Sequence, residues 1–317
     1  MAGIRLQLRL DGLPITNQKA GVNDASLSFS PIRMIRLLQV NLSLILTTND
    51  LTCISFHILV QSCRSNHKCF EMEENKMKVL TVYANPNPRS FCHAVLEKFS
   101  QGLKDAGHTN EVVDLYAIRF NPVLKLWDYA SWIHETTPMD YLKAMIQSST
   151  NRFVWFFAEK WLRNRDISEI VKLARPFRPR DVLRQQRKVA EADALAIIAP
   201  VWFVGFPAIL KGWIERVFTY GFAFSFTPGG WQGEMGGRIP LFKHEKALLI
   251  STTLFNERAY QGGLGQAMKR LTDDFGFRYP GIKNVEHVYF YSVSAVDSAT
   301  RQNYLQQAYC LGKEFAE

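Results

Sequence analysis

Cysteine is sparse: five occur in 317 residues, at Cys53, Cys63, Cys69, Cys92 and Cys310. No two stand at C-x-x-C spacing and the count is odd, which argues against a zinc ribbon, a dithiol redox motif and a disulfide framework, and suits a reducing, cytoplasmic setting. The seven histidines are equally dispersed, so no metal cluster is read. Neither phosphate-loop signature occurs. Without G-x-G-x-x-G or G-x-x-x-x-G-K-[ST], neither dinucleotide-fold nor Walker-type phosphate loops are supported. Long apolar runs are missing too. Leu37 to Val60 is the most apolar leader stretch, but Gln39, Asn41, Asn49, Asp50 and His57 interrupt it, so no membrane span is expected. Arg5, Arg9 and Asp11 break any secretory h-region.

What is present is ample core material. Hydrophobic residues make up 47% of the chain, which argues against wholesale disorder. The net charge of +9 suits nucleic acid, an anionic membrane or a phosphate-bearing cofactor and does not choose among them. Residues 1–76 lack strand–helix alternation and read as a poorly ordered extension, or as a mis-assigned start before a domain beginning at Met77. Residues 77–317 read as that domain.

From Met77 the pattern turns regular. Lys78 to Ala84 is a short apolar strand, followed by the turn-rich Asn85-Pro86-Asn87-Pro88-Arg89-Ser90. Ser90 caps a helix whose apolar side includes Phe91, Val95, Leu96, Phe99 and Leu103. A strand, loop and helix start in that order can hold an anion, because free N–H groups and the helix dipole converge there. A capped helix with no ligand has the same sequence. Glu111 to Leu115 is the second strand. Residues 121–189 then interrupt the alternation, with helices expected over Asp128 to Met145 and Arg152 to Leu173. The second is thick with Trp155, Phe156, Phe157 and Trp161, and arginines follow it. We read this as a helical excursion serving as a lid or partner surface, and not as a nucleic-acid interface, because no recognised binding motif accompanies the charge.

The organising stretch is Ala192 to Gly221. Ala194 to Ala199 suits a strand covered on both faces. Trp202, Phe203 and Phe206 then lie in a loop, and Pro207 opens a helix with Ile209, Leu210, Trp213, Ile214 and Val217 at helical spacing. Read alone, Trp202 and Phe203 serve equally well as core or as the wall of a flat ligand. Gly221 to Arg238 is a long glycine-rich loop carrying Phe222, Phe224, Phe226 and Trp231. Lys246 to Ser251 is a fourth strand, Gln261 to Phe275 a helix with Met268 and Leu271 inward, His287 to Val293 a fifth strand, and Ser298 to Phe315 a closing helix. Five strands alternating with helices imply a parallel sheet.

KVLTVYANPNPRSF, APVWFVGFPAILKGWIERVFTYGFAF, STT with NERAY, and the closing helix resemble the NAD(P)H:quinone oxidoreductases, flavodoxin-like flavoproteins of the DT-diaphorase and modulator-of-drug-activity type. The resemblance covers Met77 to Glu317. It implies an α/β, doubly wound five-stranded parallel sheet of order 2-1-3-4-5, here with a helical insertion and an irregular N-terminal extension. It also implies FAD, or FMN in its place, at the carboxyl strand ends. On that resemblance Asn85, Ser90, Phe91 and Cys92 belong to the cofactor phosphate loop, and Pro200, Val201, Trp202, Phe203 and Val204 run along the isoalloxazine. Thr252, Thr253, Leu254 and Phe255 meet its pyrimidine edge, and Arg301 its distal part. Tyr260 falls on a tyrosine that assists proton movement, and Gln266 on its histidine partner. Phe224 and Phe226, with Trp231, are the implied substrate pocket. The implied reaction is ping-pong: NAD(P)H gives hydride to flavin N5, then a quinone or similar aromatic acceptor takes two electrons. A homodimer is implied as well. Azo- or nitro-compound reduction, or a regulatory flavoprotein subunit of an ion-efflux system, are the alternatives.

Overall fold

The computed structural model describes residues 76–147, 156, 157, 160 and 162–316. The expected extension over residues 1–76 lies, but for Lys76, outside the described residues, as do Trp155 and Trp161 of the excursion.

Five strands form one parallel sheet: β1 (Lys78–Tyr83), β2 (Thr109–Asp114), β3 (Ala194–Pro200), β6 (Lys246–Thr252) and β7 (Asn284–Phe290). Their spatial order is β2-β1-β3-β6-β7, with all four pairings parallel. This is the expected order 2-1-3-4-5. The chain leaves β1 for one side of the sheet and returns on the other, so direction reverses between β1 and β3, where open α/β sheets receive ligands. β3 is buried at all seven positions, as its unbroken apolar run requires of a central strand.

Helices cover both faces. On one lie α1 (Phe91–Asp105) and α7 (Ser298–Lys313); on the other α4 (Arg180–Ala190), α5 (Ala208–Val217) and α6, two helical stretches over residues 257–278 joined by a kink at Gly262 and Gly263. The two cores are separate, with Trp213, Leu210 and Phe277 in one and Phe99, Leu103 and Phe290 in the other. α1 and α7 touch through reciprocal glycines. A Cβ on Gly102 would stand 2.1 Å from the Tyr309 carbonyl oxygen, and one on Gly312 2.2 Å from that of Phe99. Only hydrogen fits at either position.

The excursion departs from the sequence reading. Asp128 to Met145 is not one helix: a 3₁₀ turn (Leu126–Ser131) and α2 (Met139–Gln147) are separated by a turn in which the Thr137 hydroxyl accepts the His134 N–H. Pro138 sits where α2 begins, a position proline favours and a mid-helix position it breaks. Within the expected Arg152 to Leu173 helix, the described α3 is Ile167–Ala174, capped by Asp166, whose carboxylate accepts the Glu169 N–H. What pins the excursion is buried charge. The Arg216 guanidinium on α5 contacts Asp128 at 2.8 Å and Asp181 at 2.6 Å, with the Arg216 and Asp128 side chains 3% and 1% exposed. Burial alone would depress the Arg216 pKa, but the two carboxylates outweigh it and raise it.

Three further expectations are corrected. Gly221 to Arg238 is not wholly loop, because β4 (Phe224–Phe226) and β5 (Arg238–Pro240) pair antiparallel within and beside it. The expected helix over Gln261 to Phe275 is preceded by a short helical turn from Glu257 and broken by a kink at Gly262 and Gly263, runs on through Gly276 to Arg278, and leaves Leu271 70% exposed while Met268 is buried. The fifth strand is Asn284–Phe290, and residues 291–293 already belong to the turn after it.

Candidate active site at the carboxyl strand ends

The loops leaving β1, β3 and β6 converge. The Val201 N–H donates to the Thr252 carbonyl at 2.9 Å, joining the β3 and β6 exits. The buried Cys92 thiol reaches the side chains of Thr252 and Asn85, joining α1 to both neighbours, and burial pushes this thiol up to about 12. Cys92 is therefore a neutral linker.

Chain chemistry explains the β1 exit. Asn85 Oδ1 accepts the Asn87 N–H and Asn87 Oδ1 the Arg89 N–H, two successive Asx turns that walk the chain into the cap. Ser90 Oγ accepts the His93 N–H. Among the described residues the Phe91 and Cys92 N–H groups donate to nothing, and the first turn of α1 carries no acidic residue. Two free donors at the start of a 15-residue helix suit an anionic group.

The β3 exit is a two-residue turn. Trp202 and Gly205 exchange N–H···O bonds of 3.0 and 3.2 Å, and the tip residues Phe203 and Val204 both have positive φ, 45° and 65°. That is the primed hairpin geometry which normally selects Asn-Gly. A phenylalanine and a β-branched valine there are strained by about 1–2 kcal/mol each. The tip is also open: Phe203 is 103% exposed, and Trp202 and Val204 are exposed as well. The even choice between core and ligand wall is thus decided against core.

At the β6 exit, Thr252 and Thr253 are buried and Leu254 and Phe255 exposed. Thr253 is held from three sides: its N–H donates to Phe290, its hydroxyl to Phe255, and its carbonyl accepts from Val293. Tyr260 follows on α6. It is 5% exposed, yet its hydroxyl has no hydrogen-bond partner among the described residues. Burial raises its pKa, and the neighbouring Thr253 hydroxyl offsets only part of that. Gln266 lines the same cavity as Tyr260.

The expected pocket residues lie elsewhere within the chain. Phe226 and Trp231 wall a different cavity with Tyr220, Trp132, Tyr141 and Leu142, and Phe224 packs beside them against Tyr220 and Trp132. Arg301 is exposed on the first turn of α7 and donates to the Ser294 carbonyl. Sequence reading missed a cluster on the cavity that Tyr260 lines, Asp273, His287, Tyr289 and Tyr291, with the buried Ser251 bonded to the imidazole from behind. The signal was present in HVYFY, where His287, Tyr289 and Tyr291 alternate and so share one face of an extended strand.

Among the described residues there is no cluster of metal-ligating side chains, and no helix is long and apolar enough to cross a membrane.

Comparison with known proteins agrees with this geometry. A family model described as flavodoxin-like fold matches residues 77–310. An uncharacterized NAD(P)H oxidoreductase of Haemophilus influenzae is 26% identical over 234 residues, which are 73% of this chain and 92% of that protein. NAD(P)H dehydrogenase [quinone] 1 of Cavia porcellus is 31% identical over 183 residues, 58% of this chain but only 55% of its own. The solved NAD(P)H:quinone oxidoreductase of Methanothermobacter marburgensis superposes with a TM-score of 0.57 at 26% identity, covering 76% of this chain and 98% of that one.

Proposed function

Because this chain belongs to the flavodoxin-like fold family, we propose that it is a flavin-dependent NAD(P)H:quinone oxidoreductase acting by two-electron, ping-pong transfer. The observation that carries the reading is the convergence at one sheet edge of a free helix N-terminus and an exposed aromatic turn. The residues fit FAD or FMN. The Phe91 and Cys92 N–H groups would hold its phosphate, the Trp202–Val204 turn its ring face, and the Thr253 edge its pyrimidine. Bound there, a flavin supplies hydride acceptance and donation, chemistry that no side chain offers. The protein's own part is to stack, orient and keep water from the reacting faces. Tyr260 presents a buried hydroxyl that stays protonated, because burial raises its pKa. It can therefore donate a hydrogen bond to an oxygen that gains negative charge.

A homodimer belongs to this reading, since Phe224, Phe226 and Trp231 do not reach the strand-end site of their own chain. As wall residues for an acceptor they would serve a second copy. A cytoplasmic setting belongs to it as well. The test is direct. The purified chain should carry a visible flavin spectrum that NADH or NADPH bleaches and a quinone restores. A colourless protein that takes up neither FAD nor FMN would refute the proposal. Bleaching without recovery on quinone would move the assignment to azo or nitro acceptors.

A further inference from the structure

Between the excursion and the glycine-rich segment after α5 runs a cleft of about 200 Å³. Trp132, Tyr141 and Leu142 wall it from the excursion, and Tyr220, Phe226 and Trp231 from the opposite side. The aromatic wall is continuous: the Trp231 ring centroid stands 4.4 Å from that of Tyr141, 5.0 Å from Tyr220 and 5.3 Å from Phe226. No acidic or basic side chain lines the cleft, in a chain that is 21% charged. Thr137 reaches it as a buried polar group, 4% exposed, whose hydroxyl accepts the His134 N–H at 3.0 Å. Among the described residues the proton of that hydroxyl has no acceptor.

The walls are tied from behind, which keeps the space open. The Arg178 guanidinium donates to the Ala130 and Ile133 carbonyls, at 3.2 and 2.7 Å, and so fixes the backbone on either side of Trp132. The Tyr220 hydroxyl donates to the Thr136 carbonyl at 3.1 Å and accepts from the Ser225 hydroxyl at 3.3 Å. Tyr220 cannot turn into the cleft without breaking both bonds. A space held open in this way loses little freedom when a ligand enters. Its chemistry limits the occupant. A dry apolar cavity of about 150 Å³ takes up benzene, so there is room for a single ring with a small substituent. A charged group would enter without a partner, which is costly, whereas an oxygen on the ring gives the Thr137 proton the acceptor it lacks.

We propose that this cleft is a binding site for one uncharged, oxygen-bearing six-membered ring, a phenol or a quinone, separate from the strand-end site of the same chain. The excursion supplies half of its wall and thereby sets the class of ring admitted. Binding of the ring needs no flavin. A consequence for the reaction rests on the reductase reading above: Phe226 and Trp231 belong both to the cleft and to the acceptor wall that a second copy would use, so the acceptors taken are uncharged one-ring quinones.

The experiment titrates the full chain, as purified, with p-cresol, toluene and 4-hydroxybenzoate, followed by tryptophan fluorescence and ligand-observed NMR. p-Cresol should saturate a single site. 4-Hydroxybenzoate, which carries a carboxylate in place of the methyl group, should bind about tenfold or more weakly. Toluene, which lacks the oxygen, should bind about threefold or more weakly, and Thr137→Val should bring it within about twofold of p-cresol. Thr137→Val also loses the His134 contact, so Tyr141→Ala, at the exposed rim, serves as the second variant. It should weaken p-cresol about fivefold or more. Absence of saturable p-cresol binding, equal binding of 4-hydroxybenzoate, or affinity unchanged by Tyr141→Ala overturns the proposal. On flavin-loaded protein, Tyr141→Ala should slow reoxidation by p-benzoquinone about fivefold. Normal reoxidation in a variant that has lost p-cresol overturns the acceptor assignment. Protein that no quinone reoxidises sinks the reductase reading, and the p-cresol titrations still decide the cleft.

Discussion

The Phe203–Val204 turn yields the sharpest test, because stability and function are expected to move in opposite directions. Both tip residues have positive φ, where each L side chain costs about 1–2 kcal/mol. Asn-Gly is the pair that this turn prefers. Phe203→Asn with Val204→Gly therefore relieves about 2–4 kcal/mol, and the added backbone freedom of glycine takes back about 0.5–1 kcal/mol. Little buried area is lost, since Phe203 is 103% and Val204 56% exposed. Allowing for partial relaxation of the native turn, a net gain of about 1–2 kcal/mol is expected, a rise in Tm of about 2–8 °C for a domain of this size. The melt is run on flavin-free protein, because a bound ligand adds stability of its own. Retention of flavin on a desalting column should fall in the same variant. A double variant that melts at or below the parent temperature refutes the strain argument. One that keeps its flavin as tightly as the parent refutes the assignment of the tip to the ligand.

Other outcomes follow from the same geometry. Asp128→Ala strips one of two carboxylates from a buried guanidinium and should cost about 3 kcal/mol in urea unfolding, the low end for a broken buried pair because Asp181 remains. A loss below about 1 kcal/mol would show that water replaces the carboxylate. Ser90→Ala removes the acceptor of the His93 N–H and should lower stability by about 1 kcal/mol, measured by the same titration. The native protein at pH 8 should spare Cys92 from iodoacetamide, since its thiol is buried and its pKa stands near 12. Peptide mass mapping that finds Cys92 alkylated before unfolding contradicts the packing of α1. Tyr260→Phe should slow turnover more than it weakens flavin binding, and equal turnover would remove the hydroxyl from the reaction.

Most of the fold was legible because burial imposes period. A strand covered on both faces has to be apolar throughout, as Ala194 to Ala199 is, and a helix on a sheet has to repeat its apolar residues as Val95, Phe99 and Leu103 do. The excursion was less legible for the same reason. Its anchor is the Asp128–Arg216–Asp181 cluster, whose members lie up to 88 residues apart, and no local period reports such a pairing. The bounds of α6 were less legible because Gly262 and Gly263 form a kink, Gly263 at φ 105°, between two helical stretches, whereas Gly276, which reads as a terminator, is passed within the second.

The candidate site divides along the same line. Ser90, Trp202, Phe203, Thr252 and Thr253 could be read from sequence because each stands directly after a strand or at a helix start, where topology alone sends the chain to one edge. His287 could not, because its neighbours come from three separate segments. Ser251 lies 36 residues and Asp273 14 residues before it, and Tyr289 two after. Only the parallel pairing of β6 with β7, which sets Leu249 opposite His287 and Ser251 opposite Tyr289, brings the serine and the imidazole together. The register that builds the sheet therefore also builds the Ser251–His287–Asp273 network. Slipping β7 by one residue would turn His287, Tyr289 and Tyr291 to the opposite face and leave Asp273 buried with no imidazole beside it. Losing the imidazole would leave the buried Asp273 carboxylate with one fewer hydrogen-bond partner, so the His287–Asp273 contact helps to hold the edge strand in register.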